Sequence, residues 1–296
     1  MSAPARHLTS PGKVDPATAG WSYAGLEIVE LAPGGSHTWP TEGAEWLVLP
    51  LAGAATVTVS PAHSDAVVPG PVVFDLIGRS GVFGPTTDVV YVPRDALATL
   101  TSVEGGRFAL PSAQCTERLE ARYSPASATE VELRGAGRCS RQVNNIVTES
   151  TFAAANLIVV EVLTPGGNWS SYPPHKHDQE RPGEETALEE IYYYEVAGGG
   201  PAYQRVYGAT DLTAEVRHGD VVTIPAGWHG PTMAAPGYDL YYLNVMAGPQ
   251  RSWLICDDPD HTWIRETWAD QEIDPRLPFT EHTQHTQHPQ HPEEQR

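Results

Sequence analysis

Lysine is nearly missing from this chain: Lys13 and Lys176 are the only two in 296 residues, so arginine supplies almost all of its 18 cations. Against these stand 37 acidic residues and a formal net charge of −19. So acidic a surface repels polyanions, which excludes nucleic acid as a partner. Any anionic small molecule must be met by local arginines. Cysteine is equally scarce. Cys115, Cys139 and Cys256 are odd in number, far apart and without a CxxC pair. They read as small, partly buried side chains rather than a disulfide framework, which fits a reducing compartment. No apolar run approaches the ~20 residues that span a bilayer. The opening MSAPARHLTSPGKVD lacks the apolar core of a signal peptide. The expected location is the cytoplasm, with no membrane partner. A sustained 3.6-residue apolar period is also lacking, apart from a short helix expected near Arg265–Gln271.

What the chain has is β punctuation. Glycine and proline number 27 each, and they separate short runs rich in Val, Thr and Tyr. Strands are expected at 26–31, 45–51, 55–60, 72–76, 88–92 and 98–103. A second series follows at 156–163, 191–196, 202–207, 214–217, 220–224 and 240–246. Strands this short and evenly spaced imply an all-β sandwich or barrel.

The two series share a layout. A strand followed by a Pro-Gly-Gly turn occurs at Leu31-Ala32-Pro33-Gly34-Gly35 and again at Leu163-Thr164-Pro165-Gly166-Gly167. Each turn leads to a tryptophan, Trp39 or Trp169. Each series later carries a Val/Ile-Pro turn, Val92-Pro93-Arg94 and Ile224-Pro225-Ala226. A tandem repeat of one β unit explains the recurrence. The expected units are residues 1–140, without metal ligands, and residues 141–279. A polar tail at 280–296 has nothing to bury and is expected to be disordered. Its His282, His285, His288 and His291 offer at most weak, adventitious metal affinity, and a solvated tail explains them as well.

The chemistry concentrates in the second unit. In Pro173-Pro174-His175-Lys176-His177-Asp178 the two histidines are two apart, so on a strand they face one side while Lys176 faces the other. Two such imidazoles can share a metal at about 2.0–2.1 Å each. Leu188-Glu189-Glu190-Ile191-Tyr192-Tyr193-Tyr194 supplies a carboxylate. Alternation groups Glu190, Tyr192 and Tyr194 on one face and Glu189, Ile191 and Tyr193 on the other. Glu190 is favoured as a ligand because that choice sends the polar-tipped tyrosines into the cavity; either glutamate can equally be surface charge. In Pro225-Ala226-Gly227-Trp228-His229 a rigid turn presents His229 as a fourth ligand, or simply as a buried histidine. In the first unit His37 and His63 are isolated.

These motifs resemble those of the cupins, small double-sheet jelly-roll barrels that hold a metal inside. The gap from His177 to Glu190 is longer than in most cupins, and one residue rather than two separates Gly227 from His229. The same departures occur in the 5-deoxy-glucuronate isomerase family of bicupins. With Asp258-Pro259-Asp260-His261-Thr262-Trp263 and Tyr91-Val92-Pro93-Arg94-Asp95, the resemblance runs from about Trp21 to Phe279. It implies two tandem cupin barrels and one divalent metal, zinc or manganese, on His175, His177, Glu190 and His229. It further implies conversion of 5-deoxy-D-glucuronate to 5-dehydro-2-deoxy-D-gluconate in myo-inositol catabolism. The first barrel then serves as cover or as a dimer face, so a homo-oligomer is an open expectation.

A proton transfer needs a group over the substrate, whereas a hydride shift between the carbons would need no base. Tyr192, Tyr194 and Tyr242 are candidates by alternation alone, with packing of the cavity wall as the alternative. Asn244 shares a face with Tyr242. Lys176, Arg181 and Gln204 are candidates for binding a uronate substrate, although Lys176 should point away from the metal. A cupin acting on another uronate, such as 5-keto-4-deoxyuronate, and an iron-dependent cupin dioxygenase are the competing readings.

Overall fold

The computed structural model describes residues 4–62 and 70–280. His63 and the histidine-rich stretch after Thr280 lie outside the described residues. Nearly all regular structure is antiparallel β. The short helix expected near Arg265–Gln271 is present as an α turn at Trp263–Glu266 followed by a 3-10 turn at Thr267–Asp270.

The repeat is visible in the strand order. In the first half, Val89–Val92, Ala44–Pro61, Gly106–Gln114 and Ala24–Leu31 lie side by side. In the second, Val221–Ile224, Glu189–Val196, Leu240–Ala247 and Ile158–Thr164 lie in the same order. Each half adds a second sheet facing the first. In the first half a single 18-residue strand, Ala44–Pro61, passes from one sheet to the other. It turns the corner at bulges around Pro50–Ala55, where Gly53 has φ 98°. A Cβ there would sit 2.7 Å from the Gly105 carbonyl oxygen, so the corner requires glycine. The two curled double-sheet units are cupin barrels.

Alternation divides the apolar residues among three cores. Val48, Val57, Leu76, Val90, Leu100, Phe108 and Leu110 fill the first barrel. Val160, Val162, Tyr192, Tyr194, Val222, Tyr242 and Met246 line the second. The opposite faces of the same strands, with Leu47, Leu49, Tyr91, Ile191, Tyr193, Tyr241 and Leu243, make a third core between the barrels. A strand buried on both faces explains why the Tyr-rich run is apolar without interruption.

Two strands sit elsewhere than the expected boundary at residue 140 places them. Arg6–Leu8 pairs with Val221–Ile224, and Glu130–Arg134 pairs with Arg141–Val147, so both lie on the second barrel's sheet. The first described strand thus lies on the second barrel, and the chain crosses back to it before residue 130. Polar groups lock the interface. Glu45 stands at the register position that Glu189 holds in the other half: their neighbours Trp46 and Glu190 pair with Val92 and Ile224, the residues before each proline. Glu45 accepts the backbone N–H groups of Ala155, Asn156 and Leu157 at 2.6–2.7 Å. Reciprocally, Glu189 accepts those of Ser22, Tyr23 and Ala24 at 2.7–2.9 Å. Each barrel's glutamate therefore anchors the start of a strand in the other barrel, Ile158–Thr164 for Glu45 and Ala24–Leu31 for Glu189.

Candidate metal centre

His175 opens the short strand His175–Lys176 and pairs directly with His229 on Trp228–Ala234. Directly opposed residues of an antiparallel pair face one side, so both imidazoles enter the second barrel. His177 follows two residues on. The ligand atoms of His175, His177 and His229 all lie within 4.8 Å of one another, a cluster that can hold a metal ion. Glu190 reaches them from the opposite sheet. Its Oε2 is 3.1 Å from Nε2 of His177 and 3.1 Å from Nε2 of His229.

The local sequence aims these groups. The Asp178 carboxylate accepts the Gly227 N–H at 2.8 Å, tying the first histidine motif to the turn that presents His229. Gly227 has φ 101°, and a Cβ there would meet the Tyr207 carbonyl oxygen at 2.7 Å. Nδ1 of His177 lies 3.2 Å from the Leu188 carbonyl, and Nδ1 of His229 lies 3.2 Å from that of Gly227. Protonated Nδ1 atoms donating to these carbonyls leave Nε2 of both rings as free lone pairs toward Glu190, the arrangement metal-ligating histidines adopt.

The donor set fits a cation. His229 Nε2 is buried and has no aligned hydrogen-bond partner, even though Glu190 is 3.1 Å away. Two donors at about 2.1 Å from one ion, at cis or tetrahedral angles, stand about 3.0–3.4 Å apart. Burial, then the His229 and His177 charges, drive His175 well below the ordinary imidazole range. Burial would raise the Glu190 carboxyl, but His229 and His177 overcome it and hold it well below the usual carboxylate range. The cluster therefore offers an ionised carboxylate and, at His175, a neutral imidazole. Glu189 faces the other barrel, as alternation requires.

A cavity of about 210 Å³ reaches this cluster at His175. Its wall carries His175, Tyr192, Tyr242, Asn244, Ser171 and Trp253, together with Arg134, Arg141 and Arg265. Tyr192 and Tyr242 stack at 5.0 Å with an interplanar angle of 6°. Ser171, at φ 45°, places its hydroxyl 2.9 Å from the Tyr192 oxygen and 3.4 Å from that of Tyr242. Asn244 donates through Nδ2 to Glu190 Oε1. Burial pushes the phenols of Tyr192 and Tyr242 upward, so both are neutral at physiological pH.

The remaining candidates lie elsewhere. Tyr194 is fully buried and donates to Gln204 Oε1 at 2.9 Å, while Thr232 bonds the same oxygen. Tyr194 and Gln204 form a packed wall behind the cavity and do not border it. Lys176 points away from the cluster. Its ammonium meets Asp178 at 2.6 Å and Glu185 at 2.9 Å. Arg181 pairs with Glu185 and Glu184 on the inserted loop. Nearness in sequence suggested these two cations, but alternation and the buried Glu185 carboxylate hold them outside the cavity. The cations that do border it come from distant strands and from the C-terminal helix.

The sequence pattern of the KduI/IolB family matches residues 4–264. The chain is 42% identical over 259 residues to 5-deoxy-glucuronate isomerase of Geobacillus kaustophilus, covering 86% of this chain and 90% of the relative. It is 38% identical over 277 residues to 5-deoxy-glucuronate isomerase of Bacillus subtilis strain 168, covering 90% and 98%. A crystal structure of an IolB-like protein from Salmonella typhimurium LT2 superimposes with a TM-score of 0.77 at 37% identity, over 85% of this chain and 94% of that one. Oxalate decarboxylase from Bacillus subtilis shares the fold at 13% identity, with a TM-score of 0.58 over 86% of this chain and 74% of that one. No helix among the described residues is long and apolar enough to cross a membrane. With its pattern matched along most of its length and relatives near 40% identity, the chain belongs to the KduI/IolB family and is an enzyme of the isomerase class.

Proposed function

We propose that this protein is a metal-dependent aldose–ketose isomerase that converts 5-deoxy-D-glucuronate to 5-dehydro-2-deoxy-D-gluconate, a cytoplasmic step of myo-inositol breakdown. The observation that carries this reading is the convergence of three imidazoles and one carboxylate at a cavity walled by neutral phenols, an amide and arginines. The relatives named 5-deoxy-glucuronate isomerase supply the substrate.

The reaction moves hydrogen from C2 to C1 of an aldehyde sugar and leaves a ketone at C2. His175, His177, Glu190 and His229 would hold a divalent cation, zinc or manganese. When bound, it supplies Lewis-acid polarisation of the carbonyl oxygen and the neighbouring hydroxyl oxygen. Closed-shell zinc suffices because no electron leaves the substrate. Tyr192 and Tyr242, neutral and held by Ser171, are placed to donate hydrogen bonds to substrate oxygens. Their raised pKa values keep both phenols protonated, so each donates a hydrogen bond to a substrate oxygen and neither is the base that takes a proton from carbon. Asn244 fixes Glu190 and keeps it aimed at the imidazoles. Val143, Val160 and Val162 form the apolar part of the cavity wall.

The test is incubation with 5-deoxy-D-glucuronate, with and without a chelator, following ketone formation and oxygen uptake. Ketone formation that stops on chelation and restarts with zinc or manganese, without oxygen uptake, is the expected result. Oxygen consumption, or full turnover after exhaustive chelation, would overturn the reading.

A further inference from the structure

The cavity is charged in the opposite sense to the chain. The protein carries a net −19, yet three guanidinium groups border the cavity and no aspartate or glutamate is among its lining residues. Two of the three already have carboxylate partners. Arg134 forms a two-pronged pair with Glu132, at 2.9 and 2.7 Å, and Arg265 pairs in the same way with Asp257. Arg141 differs. It is 5% exposed and forms no ion pair among the described residues; the Glu132 carboxylate feels its charge but is already held by Arg134. Its guanidinium donates to the Cys139 carbonyl at 3.0 Å and marginally to that of Tyr172 at 3.5 Å, and it stacks 5.5 Å from the centre of the Trp268 ring. Two carbonyl contacts leave most of its five N–H donors free.

A buried charge without a counter-ion is costly, and proteins normally pair or remove it. Burial and the neighbouring Arg134 draw the guanidinium down to about 10, so it remains charged at physiological pH. Trp253 also borders the cavity, and its Nε1 donor is buried without an acceptor. The unpaired guanidinium calls for an anionic acceptor. Planar guanidinium and carboxylate match in a two-pronged geometry.

We propose that Arg141 binds the carboxylate of a uronate substrate, holding its acid end against this wall while the opposite end of the sugar faces His175. The proposal rests on the uronate substrate class put forward above. It makes Arg141 the residue that separates uronates from neutral sugars, in place of Lys176 and Arg181. In 5-deoxy-glucuronate the carboxylate and the aldehyde stand at opposite ends of the carbon chain. Anchoring the acid therefore directs the C1–C2 end toward the imidazoles.

The test measures equilibrium binding by calorimetry, using D-glucuronate and its neutral counterpart D-glucose as probes. Wild-type protein is expected to favour glucuronate by about ten- to a hundredfold, the span that charge-assisted hydrogen bonds give. Arg141→Met is expected to bind both probes alike, and Arg141→Lys to keep only part of the preference. A merely structural Arg141 would weaken both probes equally, so the ratio rather than the affinity decides. Loss of a buried unpaired charge is also expected to leave the Tm of Arg141→Met unchanged or raised. If the Met variant does not fold, the Lys variant and the wild-type ratio still decide. Equal wild-type affinities, or an unchanged ratio in either variant, would overturn the proposal. No turnover is needed, so a protein that selects uronates through Arg141 but fails to isomerise 5-deoxy-glucuronate would overturn the reaction and leave this site standing.

Discussion

Glu189 and Glu190 are adjacent in sequence and face opposite cores, so their substitution should produce opposite phenotypes. Glu189→Ala removes the acceptor of three backbone N–H groups at 2.7, 2.7 and 2.9 Å. A buried donor left unpaired costs about 1–3 kcal/mol. Ser22 is exposed and Tyr23 half-buried, so water recovers part of that sum and the expected loss is about 2–4 kcal/mol. Against a typical total of about 5–15 kcal/mol, this is a readily measured fall. Glu190→Gln keeps the volume and removes the one carboxylate within 3.1 Å of two imidazoles. Metal affinity is expected to fall by at least the roughly 10–100-fold that loss of an orienting partner causes. Stability of the metal-free chain should fall by less than in Glu189→Ala. Denaturant unfolding of chelated protein and metal content after dialysis read the two effects separately. If Glu189→Ala lost metal at unchanged stability, or Glu190→Gln kept its metal, the facing of this strand would be wrong.

Three further outcomes follow from the packing. Arg79→Met strands the buried Glu161 carboxylate between the barrels, where Arg79, Asn144 and Tyr241 all bond it. Denaturant unfolding should show a loss of about 3–5 kcal/mol, and Arg79→Met/Glu161→Gln should recover much of it. Tyr242→Phe, which empties a hydroxyl at the cavity wall, is expected to lower kcat by about tenfold or more. Tyr194→Phe behind the wall should leave kcat within a few-fold, and a large kcat loss there would contradict the placement. Glu185, held by Lys176, the Asp178 N–H and Arg181, has its carboxyl lowered to about 2 from an ordinary 4.5. A lowered folded value stabilises above the ordinary value and fades as pH falls toward the folded one. The stability difference between wild type and Glu185→Gln should therefore be full above about pH 4.5 and vanish near pH 2.

Short-range periodicity carried most of what could be read in the sequence. Two-residue alternation places Glu190 with Tyr192 along Glu189–Val196, and the same spacing singles out His175 and His177 although the strand there ends at Lys176. The Val92-Pro93 and Ile224-Pro225 turns mark equivalent strand ends in the two barrels. What stayed hidden depends on pairing between distant residues. Arg6–Leu8 is too short to announce that its partner lies more than 200 residues away. Lys176 and Arg181 stood out as cations beside the histidines, yet Glu185 claims both, and nothing local shows that carboxylate to be buried. Arg141 did leave a signal. It shares a face with Val143 at the head of Arg141–Val147, a strand buried at every position. A charge entering a buried strand is a candidate for function.

The central claim is that His175, His177, Glu190 and His229 share one cation. Anomalous diffraction from crystals of the active protein, collected across the zinc and manganese edges, tests it most directly. The account expects a single strong peak bonded to the three imidazoles and the Glu190 carboxylate, at the cavity lined by Tyr192 and Tyr242. Active crystals with no peak there, or with the metal elsewhere, would contradict it.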